Sequence, residues 1–473
     1  MNGFATFYST IAGRIQGIVH PPLLPFCPLR KAGFPGQWPL IISPRSVSYA
    51  GNFLGVSSLI NRIITWTARR EFARAMKFDE GDAPRIPPPA AEKPRLLYIH
   101  IPFCEKLCPY CSFNRVVFDE TLCRDYFRAL RREIRIYRER GYDFRGLYVG
   151  GGTPTVLIDE LAETLALARH TFHIREVSVE TNPNHLTGAN IAALKQAGVH
   201  RLSVGVQSFD NSLLKNMDRY EKYGSGEEIR DRLKGIRGVF DTLNADMIFN
   251  FPSQRPDTLE SDLDTLMDIG PDQITYYPLM VSDATRQAVR RTLGQVDSGR
   301  EERFYRRIVA RLVPTYRFSS AWCFSRKESI IDEYIVDYDE YAGLGSGSIG
   351  FLNGTCYANT FNIRQYIAQV ERNEMPLMAS RDFSLRDRVR YDFLMKLFGM
   401  KLDTGAMRKK YGGTFYRHLW PDILAFLLAG GLRYETPDFV LTLAGRYQWV
   451  ILMREFFVSV NNFRDFCRDQ QAA

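Results

Sequence analysis

The sequence predicts an α/β protein: six parallel strands alternating with helices, closed or partly closed as a barrel, and then a mainly helical carboxyl-terminal region. Three observations predict it. Short apolar runs alternate with helix-length segments between residues 96 and 279. Glycine and polar residues gather just after those runs, where barrels of this kind place their chemistry. From Ser384 onward the strand rhythm stops and helical spacing takes over.

The elements follow in order. Residues 1–50 hold Pro21-Pro22, Pro25, Pro28, Pro35, Pro39 and Pro44 among short apolar pieces and read as extended or disordered chain, without the order of a secretory signal. Leu54 to Lys77 spaces Leu59, Ile60, Ile63, Ile64 and Trp66 among arginines, an amphipathic helix that packs on a neighbour more readily than on a membrane. Ala83 to Pro94 is a proline-rich linker. The expected strands are Leu96–Ile101, Gly146–Gly151, Glu176–Thr181, Arg201–Val206, Ala245–Asn250 and Gln273–Leu279. The helices between them lie near Thr121–Arg140, Asp159–His170, Thr187–Ala197, Asn211–Phe240 (interrupted) and Thr258–Ile269. Further helices are expected at Arg386–Met400, Thr404–Tyr411 and Phe415–Ala429, a hairpin at Tyr434–Leu443 and a last helix at Tyr447–Phe457. The expected domains are therefore 1–93, a basic extension; 94–285, the barrel; 286–380, an extension and substrate-side cover; and 381–473, the helical domain.

Composition excludes some functions. The net charge is +9, yet residues 1–75 carry eight basic residues against Glu71 alone, so the remaining chain is close to neutral and a nucleic-acid groove through it is not expected. No run of eighteen apolar residues marks a spanning helix. The eight cysteines are not spread as a secreted disulfide framework, which fits a reducing, cytoplasmic setting.

Three of those cysteines, Cys104, Cys108 and Cys111, stand as C-x₃-C-x₂-C directly after the first strand. Thiolates so close repel one another unless a metal, an oxidant or a positive charge justifies them. An iron–sulfur cluster with one open iron fits; zinc on the three sulfurs plus His100, or a chance cluster of buried thiols, are the other readings. The remaining strand ends carry Gly150-Gly151-Gly152-Thr153-Pro154, Glu180-Thr181-Asn182-Pro183, Gly205-Val206-Gln207 and Asp246. Singly, each has a plain reading as a turn, a helix cap or a polar strand end.

Taken with Tyr98-Ile99-His100-Ile101-Pro102-Phe103-Cys104, these motifs resemble the radical S-adenosylmethionine (SAM) superfamily. More narrowly they resemble the group holding the oxygen-independent coproporphyrinogen III oxidases and the haem chaperones, from about Tyr98 to Pro278. The resemblance implies a partial (β/α)₆ TIM-like barrel with a C-terminal winged-helix-like domain. It implies that Cys104, Cys108 and Cys111 hold a [4Fe–4S] cluster, with Tyr98 and Tyr110 beside it. Gly151, Gly152, Thr153, Glu180, Gln207, Arg219 and Asp246 are placed around SAM. It further implies reductive cleavage of SAM to a 5′-deoxyadenosyl radical, a tetrapyrrole substrate, and an electron donor such as flavodoxin or ferredoxin.

The chain departs from the group in places. Ser112-Phe113 follows Cys111 where the oxidases have a further cysteine two residues on. Gly343-Leu344-Gly345-Ser346-Gly347-Ser348 and Tyr357-Ala358-Asn359-Thr360-Phe361 lack the chaperones' histidine-asparagine pair, and resemble anaerobic haem-degrading methyltransferases of the same group. Residues 321–340, dense in aromatic and ionisable types, are expected either to cover the barrel mouth, with Arg326 or Lys327 pairing substrate propionates, or to form a surface edge with inward aromatics.

Overall fold

The computed structural model describes residues 53–78, 83–89, 95–327 and 334–472. The expectation of extended chain over residues 1–50 lies outside them, as do parts of the linker. The chain divides into two compact units, 1–67 and 68–473. A helix, Phe53–Ala75, begins in the first and ends in the second.

The second unit is built on one sheet. Its parallel strands are β1 (Leu96–Ile101), β2 (Gly146–Gly151), β3 (Glu176–Thr181), β4 (Arg201–Gln207), β5 (Thr242–Phe249) and β6 (Gln273–Pro278). They pair in that order, in register from Leu96 against Gly146 to Asn244 against Gln273. Each is followed by a helix, of which Glu120–Glu139, Ile158–Thr171 and Pro256–Ile269 are the longest. Residues such as Leu97, Ile99, Val149, Val179, Leu202 and Val204 are wholly buried where strands meet helices, the pattern a covered parallel sheet requires.

The sheet continues past the six expected strands. β7 (Arg317–Phe318) and β8 (Cys323–Ser325) add antiparallel strands beyond β6. On the other side β9 (Tyr341–Leu344) pairs parallel to β1, and β10 (Ile349–Leu352), β11 (Thr355–Asn359) and β12 (Leu377–Asp382) follow antiparallel. The order β12-β11-β10-β9-β1-β2-β3-β4-β5-β6-β8-β7 runs edge to edge, so the barrel is partial. The sequence missed β9 to β12 because they are four to six residues long and show no alternation: β9 to β11 are buried almost throughout, and the edge strand β12 is half-exposed along its length.

Two expectations need correction. Ser325 pairs with Gln273, the first residue of β6, and the Arg326 amide donates to the Asp272 carbonyl. Arg326 and Lys327 therefore stand at the amino end of the sheet, opposite the cysteines, where Arg326 lies over the Tyr316 ring and Lys327 pairs with Asp272 at 3.4 Å. Tyr334 stacks on Tyr98, 5.5 Å between ring centres, and leads into β9 at that same end. Of the two readings of this stretch, its described part fits the second, an edge with aromatics turned inward: Trp322 and Phe324 are wholly buried, and the stretch does not cover the mouth. The last helix, expected to stop at Phe457, runs from Leu443 to Ala472. Helical spacing continues through Val460, Phe463 and Cys467, all buried.

The carboxyl-terminal region holds helices Leu385–Phe398, Thr404–Tyr411 and Phe415–Leu428 beside a small antiparallel sheet of β13 (Lys401–Leu402), β14 (Leu432–Glu435) and β15 (Asp438–Leu441). Among the described residues no helix is long and apolar enough to cross a membrane.

Candidate functional site

The carboxyl ends of β1 to β5 gather the site. β1 ends into the loop that carries Cys104, Cys108 and Cys111, and the surroundings hold this loop by charge. Glu105 accepts from His185 and Asn184, each at 3.1 Å, and pairs with Lys222 at 2.6 Å, which holds its carboxyl down at about 2. Lys106 meets Asp218 at 3.0 Å. Arg115 donates to the carbonyls of both Cys108 and Cys111 at 2.6 Å. A loop tied at so many points has lost its conformational freedom before any ligand arrives.

Around the sulfurs the partners are donors. Arg219 points Nη1 at Cys108 Sγ, 3.7 Å, and Thr153 points its hydroxyl at Cys104 Sγ, 3.9 Å. Asn182 links the two, accepting from Arg219 at 3.1 Å and donating to Thr153 at 2.9 Å. Burial nonetheless pushes the Cys104 thiol up to about 12 and raises that of Cys111. These thiols keep their protons until a metal displaces them.

His100 does not join the sulfurs. Its Nδ1 lies 2.9 Å from the Tyr98 hydroxyl and its Nε2 2.8 Å from the Asn114 carbonyl. A carbonyl only accepts, so Nε2 carries the proton and Nδ1 accepts from Tyr98. Burial holds the ring's pKa down at about 4. A neutral imidazole with both nitrogens engaged cannot complete a zinc site, which removes the zinc-with-His100 reading. Among the described residues no three His, Cys, Asp or Glu side chains converge on a single ion. An iron–sulfur cube needs no such convergence, because each thiolate binds its own iron.

The glycine run after β2 is tight against this loop. A Cβ on Gly152 would stand 2.6 Å from the Phe103 carbonyl and 2.9 Å from Cys104 Sγ. On Gly150 it would meet the Glu180 carboxylate at 2.7 Å, and on Gly151, at φ +118, the His100 ring at 2.7 Å. Bare backbone is required here. The Gly151 amide donates to Glu180 at 3.1 Å, and the Tyr148 hydroxyl donates to its other oxygen at 2.8 Å.

Gln207 ends β4 at φ +74, within an irregularity of the β4–β5 register, a strained backbone that re-aims its side chain. Asp246 on β5 accepts from Ser203 at 2.6 Å and Asn244 at 2.7 Å. Tyr110 is buried edge-on against Phe251, 5.7 Å away. The structure thus brings Gly151, Gly152, Thr153, Glu180 and Arg219 into direct contact with the cysteine loop or with one another. Tyr98 reaches them through His100, and Gln207 and Asp246 stand on the neighbouring strand ends.

Sequence reasoning did not single out Asn182, Tyr148 or Arg115. Asn182 sat inside a quoted motif, two residues after Glu180, and its place at a strand end was the available signal. Nothing local marked Arg115 or Tyr148. The donor set of three thiolates on one pinned loop, bare backbone beside them and a buried arginine at one sulfur fits a cluster with a small zwitterionic ligand next to it.

Comparisons agree on the broad class. The radical SAM superfamily pattern matches residues 98–266. The chain is 26% identical over 363 residues to the heme chaperone HemW of Bacillus subtilis, covering 72% of this chain and 93% of that protein. It is 26% identical over 361 residues to the oxygen-independent coproporphyrinogen III oxidase of Salmonella typhimurium, covering 70% and 78%. Its fold matches that of coproporphyrinogen III oxidase (HemN) from Escherichia coli with a TM-score of 0.66 over 82% of this chain and 93% of the other, at 23% identity.

Proposed function

We propose, from the premise that this chain belongs to the radical SAM superfamily and its HemN/HemW group, that it cleaves SAM reductively at a [4Fe–4S] cluster and acts on a tetrapyrrole. The observation that carries the reading is the cysteine loop itself: two buried sulfurs and a half-buried third, flanked by Arg219, Thr153 and the Gly152 backbone, with the Glu180 carboxylate fixed beside them by Tyr148 and the Gly151 amide. Cys104, Cys108 and Cys111 would hold the cluster, which supplies one electron to the carbon–sulfur bond of SAM.

The chain's own residues do the rest. Gly150 to Gly152 admit the methionine end of SAM against bare backbone, and the Glu180 carboxylate receives its ammonium. Asp246 and Gln207 offer acceptors for ribose hydroxyls. Arg219 balances the negative charge that the thiolates gain on losing their protons. The rings of Tyr98, Tyr148 and Tyr334 pack on one another below the site, an aromatic surface that would exclude water from a reactive intermediate and suit a flat macrocycle. A flavodoxin- or ferredoxin-type protein would deliver the electron.

The experiment is anaerobic reconstitution followed by dithionite and SAM, with 5′-deoxyadenosine measured with and without porphyrinogen or haem. Release that rises with one tetrapyrrole is the expected result. A second reading, a haem-delivery protein with little turnover, draws on the HemW relative, whose similarity covers 93% of its length. Stoichiometric haem binding without 5′-deoxyadenosine would favour it over the enzyme.

A further inference from the structure

The last helix brings an unused cation to the segment after the cysteines. Its final turns join the loops that follow the two outermost expected strands. Asn462 accepts from the Asp283 amide at 2.8 Å and donates to the Asp283 carboxylate at 2.9 Å, just after β6. Arg468 donates to the Phe113 carbonyl at 3.4 Å, in the segment after the cysteines. Between them Arg464 is 91% buried, with its guanidinium 5.1 Å from the centre of the Phe113 ring.

Among the described residues Arg464 pairs with no carboxylate. One Nη donates to Asn461 at 2.9 Å, and its Nε is buried with no hydrogen-bond partner. Arg115 is in the same condition, its Nε and second Nη buried and unpartnered. Arg468 pairs with Asp465 on its own helix. Three guanidiniums therefore share the region with Asp465 and Asp469; burial, and then the charges of Arg115 and Arg464, depress the pKa of Arg468, and burial depresses that of Arg464. The buried N–H groups of Arg464 and Arg115 that lack a partner are costly, so an anion is the missing partner. The cysteine loop already has Arg115 on its carbonyls and Arg219 at Cys108 Sγ. Arg464 comes from a different element and interacts electrostatically with Tyr98, Tyr334, Cys111 and Tyr341.

We propose that Arg464, flanked by Arg115 and Arg468, is a subsite for a carboxylate of the substrate, which rests on the tetrapyrrole reading above. Guanidinium takes a carboxylate in a two-pronged bond, and the flanking Phe113 face suits a ring that bears it. The position explains why the helix reaches so far: it delivers a cation to the mouth from outside the barrel.

The test is binding to the reconstituted, full-length protein of haem b and of its dimethyl ester, with Arg464→Gln and Arg464→Lys. Wild type should prefer the free acid, and Arg464→Gln should weaken the acid by about tenfold or more while leaving the ester unchanged. Arg464→Lys should recover part of the loss. Equal binding of acid by wild type and Arg464→Gln overturns the subsite, as does a variant that shifts only the cluster's midpoint potential. Should wild type bind neither tetrapyrrole, the functional reading fails on its own. The subsite is then decided by benzoate: thermal stabilisation by benzoate lost in Arg464→Gln upholds it, and no difference overturns it.

Discussion

Two glycine-rich turns sit on either side of β1 and look alike in sequence: Gly150-Gly151-Gly152 and Gly343 to Gly347. Their surroundings differ entirely. The first presses backbone against Cys104, His100 and the Glu180 carboxylate. The second presses backbone against Tyr126, the His100 carbonyl and the Asn114 side chain. There Glu133 accepts from the Gly345 amide at 2.8 Å, Asn359 at 3.0 Å and the Tyr366 hydroxyl at 2.6 Å, all buried. The segment that resembled a haem-handling motif, with Asn359 at its centre, is a polar joint between the sheet extension and helix Glu120–Glu139. Glycine reports close approach in both turns; what approaches decides whether the turn serves a ligand or the fold.

That contrast can be broken by substitution. The largest effect is expected at the sulfurs: Cys108→Ala should abolish the brown chromophore and SAM cleavage, read by absorbance and iron content after anaerobic reconstitution. Gly152→Ala, which forces a methyl into the Phe103 carbonyl and Cys104, should cut cluster occupancy and turnover about tenfold. Gly345→Ala should act oppositely. At φ +92 and against the Tyr126 hydroxyl it should cost about 1–3 kcal/mol of stability by denaturant titration, with cluster spectra unchanged. Equal cluster loss in both variants would erase the distinction.

The smallest effect is in pH. Burial raises the Glu133 carboxyl from 4.5 to about 7 in the fold, so the folded chain holds a proton that the unfolded chain has released. Its stabilising contribution is complete below about pH 4.5 and is lost as pH rises through about 7. The loss is on the order of 3 kcal/mol. Buried Asp262, raised to about 7, follows the same sign. Glu133→Gln should flatten part of that slope in melting curves taken from pH 5 to 8, leaving SAM cleavage at fixed pH intact. A slope of unchanged size would remove Glu133 as its source.

Much of this was legible beforehand. The six barrel strands were readable within three residues at each end, because buried parallel strands are apolar runs and the helices between them carry a different period. The cysteine spacing marked a candidate metal site because close thiolates need a reason. The failures are equally physical. Composition carries no direction, so Arg326 and Lys327 were open between the mouth and a surface edge; antiparallel pairing of β8 with β6 set them at the amino end of the sheet. Tyr148, Asn182 and Arg115 are ordinary residue types until strand register sets them beside Glu180, Thr153 and the cysteine carbonyls.

By itself the sequence determined which atoms are local to one another: the periodicity of each strand and helix, and three sulfurs within eight residues on one loop. Only the tertiary structure decided the non-local matters. It engaged both His100 nitrogens away from the sulfurs, turned one glycine motif to the site and the other to a joint, and set Arg464 of the last helix over the Phe113 ring beside the cysteine loop. Local pattern follows from bonded geometry, whereas the company a buried charge keeps depends on how distant segments close over it.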